Sequence, residues 1–218
     1  MNVSIIIESL PSLLNATLMT ILLAIISILI ALIIGFFTAL ARISKFSLLK
    51  GIASVYVSIF RGTPLLVQIF VIYYGLPQIN IELSPIPSGI LALSLNAGAY
   101  LCESFRSAIM SVDKGQMEAS VSLGMTYGQA LRRIILPQSI RIAIPTLSNT
   151  FIVLIKDTSL VSVITVTELL QMSSLLIAKT FEPLTLLLMA AVLYWIIITF
   201  FTLLLNKMEK RTSKHLVH

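Results

Sequence analysis

Residues 118–137, EASVSLGMTYGQALRRIILP, form a polar and charged stretch in a chain that is otherwise mostly apolar. The signals in and around this stretch predict two short helices joined by a hinge. Asp113 is placed to cap the first helix, and Gly124 falls where a left-handed C-terminal cap is expected. Thr126 and Gln129 have the spacing of a capping box that starts the second helix. Such a unit between two membrane spans would offer a soluble partner protein a compact shape to bind.

Pro137 predicts the end of the second helix, because the residue before a proline disfavours the helical conformation. With its caps, the predicted cytoplasmic loop covers residues 113–139.

The composition excludes an ordinary soluble domain. Of the 218 residues, 57% are hydrophobic and 11% are charged, with a mean hydropathy of +1.01. Soluble chains carry about 25% charged residues. Cys102 lies in an apolar stretch, where we interpret it as a packing residue. Both histidines, His215 and His218, lie in the C-terminal tail, so the predicted spans contain no histidine for a metal site or a catalytic base.

Five stretches approach or exceed the roughly 20 apolar residues that cross a bilayer. They are 17–41, 51–79, 88–112, 140–166 and 183–206. We therefore predict an all-α polytopic membrane protein with five transmembrane helices.

The predicted spans divide the chain into three parts. Residues 1–16 are expected to be an extracytoplasmic segment, 17–206 a single transmembrane domain, and 207–218 a basic cytoplasmic tail.

Positive charge predicts the orientation, because short cytoplasmic loops are enriched in lysine and arginine. The basic residues that follow the first, third and fifth spans are Arg42, Lys45, Lys50, Lys114, Arg132, Arg133, Arg141, Lys207, Lys210, Arg211 and Lys214. The opposite side has Lys179 against Glu8, Glu82 and Glu182. We expect the N-terminus outside, and the polar stretch and the C-terminus in the cytoplasm.

Ala31, Gly35 and Ala39 recur at every fourth position of the first span. Small residues at this spacing allow two helices to approach closely in lipid. Chance in an alanine-rich span is the alternative interpretation.

The segment 61–64, Arg-Gly-Thr-Pro, interrupts the second span. Thr63 is predicted to cap a half-helix that begins at Pro64, roughly 15 Å into the membrane. The N–H groups of a half-helix and the charge of Arg61 suit a substrate carboxylate. The alternative is that Arg61 lies at the cytoplasmic edge and pairs with a lipid phosphate.

The third span carries Asn96, Tyr100 and Glu103 on one helical face, with Arg106 within ion-pair reach of Glu103. Ionisable residues within spans are costly, and the default interpretation is functional. One interpretation is that these residues line a substrate pathway. The alternative is that Glu103 and Arg106 form a structural ion pair.

Two further positions belong to the candidate pathway. Asp157 of the fourth span could bind a substrate ammonium group, or could hold helices together with Lys156. Gln68 is either a hydrogen-bonding residue of the pocket or an interhelical contact.

The segment Glu118-Ala119-Ser120, with Gly124, Ile134, Leu136 and Pro137, resembles the EAA loop of bacterial ABC-importer permeases. Serine stands at the third position, where alanine is usual. Three other segments resemble the branch of histidine, glutamine and cystine permeases, which imports polar amino acids. They are RGTPLLVQ at 61–68, GQ at 115–116 and KDTSL at 156–160.

This resemblance implies a type I ABC importer transmembrane domain in the bacterial cell membrane. The loop residues Glu118, Ala119, Gly124, Ile134, Leu136 and Pro137 would dock into a cytoplasmic ATP-binding subunit. An extracytoplasmic substrate-binding protein and a second permease chain, identical or similar, are also implied.

The sequence contains no phosphate-binding loop of the G-x-x-x-x-G-K-[ST] type. We therefore expect no ATPase site in this chain, and the resemblance implies that ATP and Mg²⁺ are bound by the partner ATPase. We also expect no catalytic residues, metal or cofactor here, and no contact with nucleic acid, because the basic residues lie at the predicted membrane edges.

Two other classes of protein fit this sequence less well. A membrane-embedded enzyme is disfavoured because the spans lack histidine and a second aspartate to pair with Asp157. A secondary transporter is disfavoured because five spans show no inverted repeat.

Overall fold

The computed structural model describes residues 3–213, and these form a helical protein. Lys214, His215, His218 and the side chain of Arg211 lie outside this description. The α-helices are α1 (Val3–Ile43), α2 (Ser47–Gly62), α3 (Leu65–Phe70), α4 (Pro85–Ser111), α5 (Lys114–Ser122), α6 (Tyr127–Ala130), α7 (Leu136–Asp157), α8 (Leu169–Thr180) and α9 (Pro183–Ser213). Wider π-helical turns occupy Val71–Gly75 and Leu131–Ile135, and 3₁₀ turns occupy Leu76–Ile79 and Thr158–Ile164.

The described residues contain four helices that are long and apolar enough to cross a membrane. They are Ser4–Ile43, Pro85–Ser111, Tyr127–Ile164 and Pro183–Lys210. The pair Ser47–Gly62 and Leu65–Ile79, bent by 109° at the break, counts as a fifth crossing if taken as one span. The predicted all-α polytopic class is confirmed.

The first helix is longer than the predicted first span. α1 has 41 residues and continues through Pro11, so its length is about 60 Å. That is roughly twice the hydrocarbon thickness of a bilayer. The expected boundary at residue 16 therefore lies inside a continuous helix, and the extracytoplasmic placement of residues 1–16 stays a prediction.

Helices α1 and α4 run parallel to each other. Gly35 lies against Leu101 and the Gly98 carbonyl, and further along both helices Arg42 pairs with Glu103. Two parallel helices require the intervening chain to return to the starting side. Residues 47–79 must therefore cross the bundle in spite of their sharp bend.

Helix α7 runs antiparallel to both α4 and α9. Val161, just past α7, packs on Gly89 near the start of α4, and Phe151 meets the ring of Phe201. The C-terminal ends of α1, α4 and α9 consequently lie at the same end of the bundle. The basic residues that follow these helices share that end, as the charge pattern requires.

The predicted close approach of small residues is confirmed. Ala31 and Ala39 are fully buried. A Cβ atom built on Gly35 would lie 2.7 Å from the Leu101 Cβ and 2.9 Å from the Gly98 carbonyl oxygen. Only glycine allows the α1 and α4 backbones to approach this closely.

Pro137 does not end the second helix of the polar stretch, so this prediction was wrong. The helix runs on from Tyr127 through Pro137 into α7. The π-helical turn at Leu131–Ile135 stands directly before the proline. A wider turn at this point accommodates the pyrrolidine ring and its missing N–H, which a regular α-helix would not. The loop and the fourth span are therefore rigidly joined.

Gly35→Ala should destabilise the chain, because the added Cβ forces α1 and α4 apart; overpacking of this kind costs about 1–3 kcal/mol. Gly51→Ala is the matched control, since no atom lies within 4 Å of the position of its Cβ. Thermal unfolding of the detergent-solubilised chain measures the difference. Equal unfolding temperatures for the two variants would contradict the close α1–α4 contact.

Candidate functional site

The polar loop between α4 and α7 has the predicted helix–hinge–helix geometry. The Asp113 Oδ1 atom accepts a hydrogen bond from the Gly115 N–H at 2.6 Å. Gly124 has a φ of +86°, and the amides of Gly124 and Met125 return to the carbonyls at the end of α5. Thr126 and Gln129 make both hydrogen bonds of a capping box.

The expected coupling residues differ in exposure. Glu118, Ala119, Gly124 and Pro137 are exposed, whereas Ile134 and Leu136 are half-buried. Exposed positions can touch a partner, and half-buried positions fix the loop to the bundle.

The position where the sequence departs from the family pattern is buried. The Ser120 hydroxyl donates to the Gln116 carbonyl at 2.6 Å, so the polar atom is satisfied within α5.

An apolar patch lies on the same loop. Val121, Leu123 and Tyr127 are 51%, 84% and 49% exposed. Because the loop is at the end of the bundle with the basic residues, this patch is suited to bury apolar area against a soluble protein.

The break in the second span is organised differently from the prediction. Thr63 does not cap a following half-helix: it ends α2, and its hydroxyl donates back to the Ile59 carbonyl at 2.8 Å. α3 begins at Leu65, after Pro64. The reason is that both Thr63 and Pro64 have an extended backbone, so the hydroxyl donates back into α2 and caps no backbone N–H of α3.

Gln68 and Asn96 hold this break together. The Gln68 Nε2 atom donates to the Phe60 carbonyl at 2.9 Å, the Thr63 carbonyl at 3.1 Å and the Thr63 hydroxyl at 2.9 Å. Asn96 Nδ2 donates to the Phe60 carbonyl at 3.1 Å and the Gln68 Oε1 at 3.0 Å. Both side chains thereby satisfy backbone carbonyls that the break leaves unpaired.

Glu103 lies at the centre of an arginine cluster. It pairs with Arg42, with Arg106 at 2.8 Å and with Arg61 at 3.9 Å. The Arg61 guanidinium also lies 5.3 Å from the centre of the Tyr100 ring. The predicted Glu103–Arg106 contact is present. Three guanidinium groups around one carboxylate leave the cluster with excess positive charge.

A cavity of about 480 Å³ lies where the α2–α3 break, α4 and α7 meet. Its polar lining residues are Thr63, Asn96, Tyr100, Asn149, Thr150 and Asp157. Four of the seven pathway candidates, Thr63, Asn96, Tyr100 and Asp157, therefore line one space. Arg61, Gln68 and Glu103 do not line it. Each contacts a lining residue or its neighbour: Gln68 accepts a hydrogen bond from Asn96, Arg61 lies against the Tyr100 ring, and Glu103 pairs with Arg61.

The structure also shows a buried carboxylate that the sequence interpretation missed. Glu168 is fully buried between the candidate spans Tyr127–Ile164 and Pro183–Lys210. It caps α8 and accepts a hydrogen bond from the Tyr194 hydroxyl at 2.7 Å. Burial raises its pKa, against the lowering effect of these hydrogen bonds. An acidic residue directly before the apolar run of α8 is a cap signal that was available in the sequence.

A family of known proteins matches this chain over most of its length. Residues 28–214 match the family described as binding-protein-dependent transport system inner membrane component. The chain belongs to this family.

Proteins similar to this chain are named as permeases of amino-acid transport systems. The L-cystine transport system permease protein TcyB of Bacillus subtilis (strain 168) is 48% identical over 197 residues, covering 90% of this chain and 84% of that protein. The probable amino-acid ABC transporter permease protein YckA of the same organism is 42% identical over 214 residues, covering 98% and 95%.

Solved structures show the same permease fold. A crystal structure of an amino acid ABC transporter with histidines superposes with a TM-score of 0.90 at 35% identity, covering 94% of this chain and 96% of that chain. An inward-facing MetNI methionine ABC transporter superposes with a TM-score of 0.73 at 18% identity, covering 96% and 97%. The predicted family and fold class are confirmed.

Gln68→Leu should destabilise the chain by about 1–3 kcal/mol, because it removes the donor to the Thr63 carbonyl and the acceptor for Asn96 in a buried place. Gln78→Leu makes the same change at an exposed position of the second span and should have little effect. Thermal unfolding in detergent compares the two. A destabilisation no larger for Gln68→Leu than for Gln78→Leu would show that the amide does not hold the break.

Proposed function

We propose that this chain is the membrane-spanning subunit of an ATP-driven importer for a zwitterionic polar amino acid, with L-cystine as the first cargo to test. The observation that supports it best is the polar cavity beside the helix break, at a depth where polar side chains are costly. The L-cystine relative, identical at nearly half of its aligned positions, directs the choice of cargo.

The charges near the cavity suit a zwitterion. Asp157 lines the cavity and is placed to receive an ammonium group. Arg61 stacks on Tyr100 at the cavity wall and offers the opposite charge to a carboxylate. In a low-dielectric space such fixed partners replace the water that the cargo loses on entry.

Energy for transport would come from a separate subunit. The exposed loop residues Glu118 and Gly124, with the apolar patch of Val121, Leu123 and Tyr127, are accessible to a cytoplasmic ATPase that binds ATP and Mg²⁺. This chain itself would bind no cofactor, and an extracytoplasmic binding protein would deliver the cargo. Alternating access would proceed as the ATPase pair closes and pulls on the loops.

A second permease chain would complete the pathway. Thr63, Tyr100 and Asn149 line the cavity and are also exposed on the surface of this single chain. Polar side chains at membrane depth face protein or a water-filled space rather than lipid. A second copy or a similar chain placed over this face would enclose the cavity.

The proposed orientation in the membrane rests on the positions of the polar loop and of the basic helix ends. The loop and the basic ends of α1, α4 and α9 would face the cytoplasm, where the ATPase is, and the start of α1 would lie outside.

Asp157→Asn should raise the L-cystine concentration needed for half-maximal uptake by about tenfold to about 100-fold, since losing a charged contact costs about 1.5–3 kcal/mol. Arg61→Gln should act in the same direction. Uptake of labelled L-cystine, glutamine, arginine and histidine is measured in cells with the cognate ATPase and binding protein. Glu82→Gln, at an exposed carboxylate that does not line the cavity, is the control.

Two results would overturn this assignment. If the wild-type importer accumulates none of the four amino acids, the amino-acid function is wrong. If wild type transports but Arg61→Gln, Glu103→Gln and Asp157→Asn all transport normally, the membrane cavity is not a substrate site. The permease would then be a gated conduit whose selectivity rests on the binding protein.

Gly124→Ala should weaken association with the ATPase, because a φ of +86° costs a residue with a Cβ about 1–2 kcal/mol and the hinge would shift. Gly124→Val should be worse, while the chain still inserts. Gly128→Ala is the matched control, since it lies in α6 without positive φ and without a nearby atom. Co-purification of the ATPase measures the outcome, and normal assembly of Gly124→Val would refute the docking role.

A further inference from the structure

The arginine cluster around Glu103 lies next to the cavity, on the side toward the polar loop. Tyr100 lines the cavity, and Glu103 follows it about one turn later on α4. Helix α4 runs toward the end of the bundle that carries the loop, because the loop follows it directly in the chain. The cluster is therefore placed to act on a group that leaves the cavity in the direction of the loop.

The Glu103 carboxylate is satisfied without Arg61. Its Oε1 atom pairs with Arg42, and its Oε2 atom accepts hydrogen bonds from the Arg106 Nη2 at 2.8 Å and the Arg106 Nε at 3.2 Å. The Arg61 Nη1 atom lies 3.9 Å from Oε1, which is too long for a hydrogen bond. Arg61 is thus an additional cation that the carboxylate does not need.

The cluster carries an excess of positive charge. It contains three guanidinium groups and one carboxylate, so the positive charges exceed the negative ones by two. Among the described residues, no second carboxylate pairs with any of the three arginines. Ion pairs that served only to fasten helices together would be closer to neutral, because uncompensated charge is costly in a membrane protein. A structural role therefore does not explain the excess.

Arg61 is the member of the cluster that is best placed to act on the cavity. Its side chain is 42% exposed, more than those of the other three residues. Its guanidinium lies 5.3 Å from the centre of the Tyr100 ring, which holds the cation beside the cavity wall. A fixed charge in low-dielectric surroundings acts over several ångströms, so Arg61 does not need to line the cavity itself.

The opposite side of the cavity offers a single negative charge. Asp157 lies on α7, whereas Arg61 and Tyr100 lie on α2 and α4. The ammonium and carboxylate groups of an amino acid can use the two sides. Because the cluster outweighs Asp157, a further positive charge on the side chain of the cargo is repelled, and a neutral or acidic side chain is not.

We propose that the arginine cluster makes the loop side of the cavity a site for carboxylate groups and excludes amino acids with a net positive charge. The exclusion of cargo rests on the proposed function. The positive potential in the cavity is a property of the chain that can be measured without cargo or binding protein.

The experiment measures that potential with charged thiol reagents. Thr150→Cys places a thiol in the cavity of a Cys102→Ala chain, and Gln78→Cys places one at an exposed position outside it. Labelling rates with an anionic and a cationic methanethiosulfonate reagent are compared on the assembled importer, in membrane fragments open on both sides. The anionic-to-cationic rate ratio should be at least about threefold higher in the cavity than at Gln78→Cys.

Charge variants of the cluster should move this ratio in opposite directions. Arg61→Gln removes one positive charge and should lower the ratio about threefold, whereas Glu103→Gln removes the negative charge and should raise it by a similar factor. Arg61→Lys is the matched control, because it keeps the charge and should keep the ratio. Loosening of the helices would instead shift Arg61→Gln and Glu103→Gln in the same direction.

A second measurement tests the exclusion of cationic cargo. Binding of labelled L-cystine, L-glutamine and L-arginine is measured on the detergent-solubilised importer without its binding protein. L-Arginine should bind at least about tenfold more weakly than L-cystine, and Arg61→Gln should narrow this gap.

The outcomes separate this proposal from the proposed function. An unchanged rate ratio in Arg61→Gln, or a shift in the same direction in Arg61→Gln and Glu103→Gln, would overturn the carboxylate site whatever the importer carries. Equal binding of L-arginine and L-cystine by wild type would overturn the exclusion of cationic cargo. Absence of amino-acid uptake in wild type, together with the expected rate ratios, would refute the proposed function alone. If Glu103→Gln reduces the amount of inserted chain, the comparison of Arg61→Gln with Arg61→Lys decides.

Discussion

The interior of a bilayer holds no water to pair with a backbone or side-chain polar group, and this constraint shapes most of the structure. A helix break at membrane depth exposes carbonyl groups that must find partners inside the protein. Gln68 and Asn96 supply them at the break between α2 and α3. The same two amides connect the break to α4, so the sharp bend is held as a fixed shape and can form one wall of a cavity.

Buried charged groups likewise need partners inside the protein. Glu103 is surrounded by arginines from α1, α2 and α4, and Glu168 by donors from α8 and α9. Both carboxylates tie distant parts of the chain together. Asp157 differs from them, because it faces the cavity and the described residues offer it no hydrogen bond. A carboxylate left available in this way is the feature that a cationic group of a cargo could use.

The rigid link from the loop to the bundle has a mechanical consequence. The helix that begins at Tyr127 lies in the polar loop, passes through the π-helical turn before Pro137 and continues as α7, which lines the cavity further on. A force on the loop would therefore reach the cavity along one continuous helix. The turn at Gly124 and the capping box at Thr126 set the angle between α5 and α6.

The spacing of Ala31, Gly35 and Ala39 left both a close helix contact and chance open, and the structure identified α4 as the partner. The sequence by itself determined the local features: the caps at Asp113, Thr126 and Gly124, the long apolar helices and the family. Each depends on neighbouring residues or on a short spacing, and such signals need no knowledge of distant contacts. Only the tertiary structure decided which group the Thr63 hydroxyl donates to, that the helix continues through Pro137, and which pathway candidates share one cavity. It alone showed the Glu168–Tyr194 pair, which joins residues 26 positions apart. These features depend on which side chains from different helices meet in space, because an unpaired polar group in the membrane is satisfied by whatever partner the packing brings near.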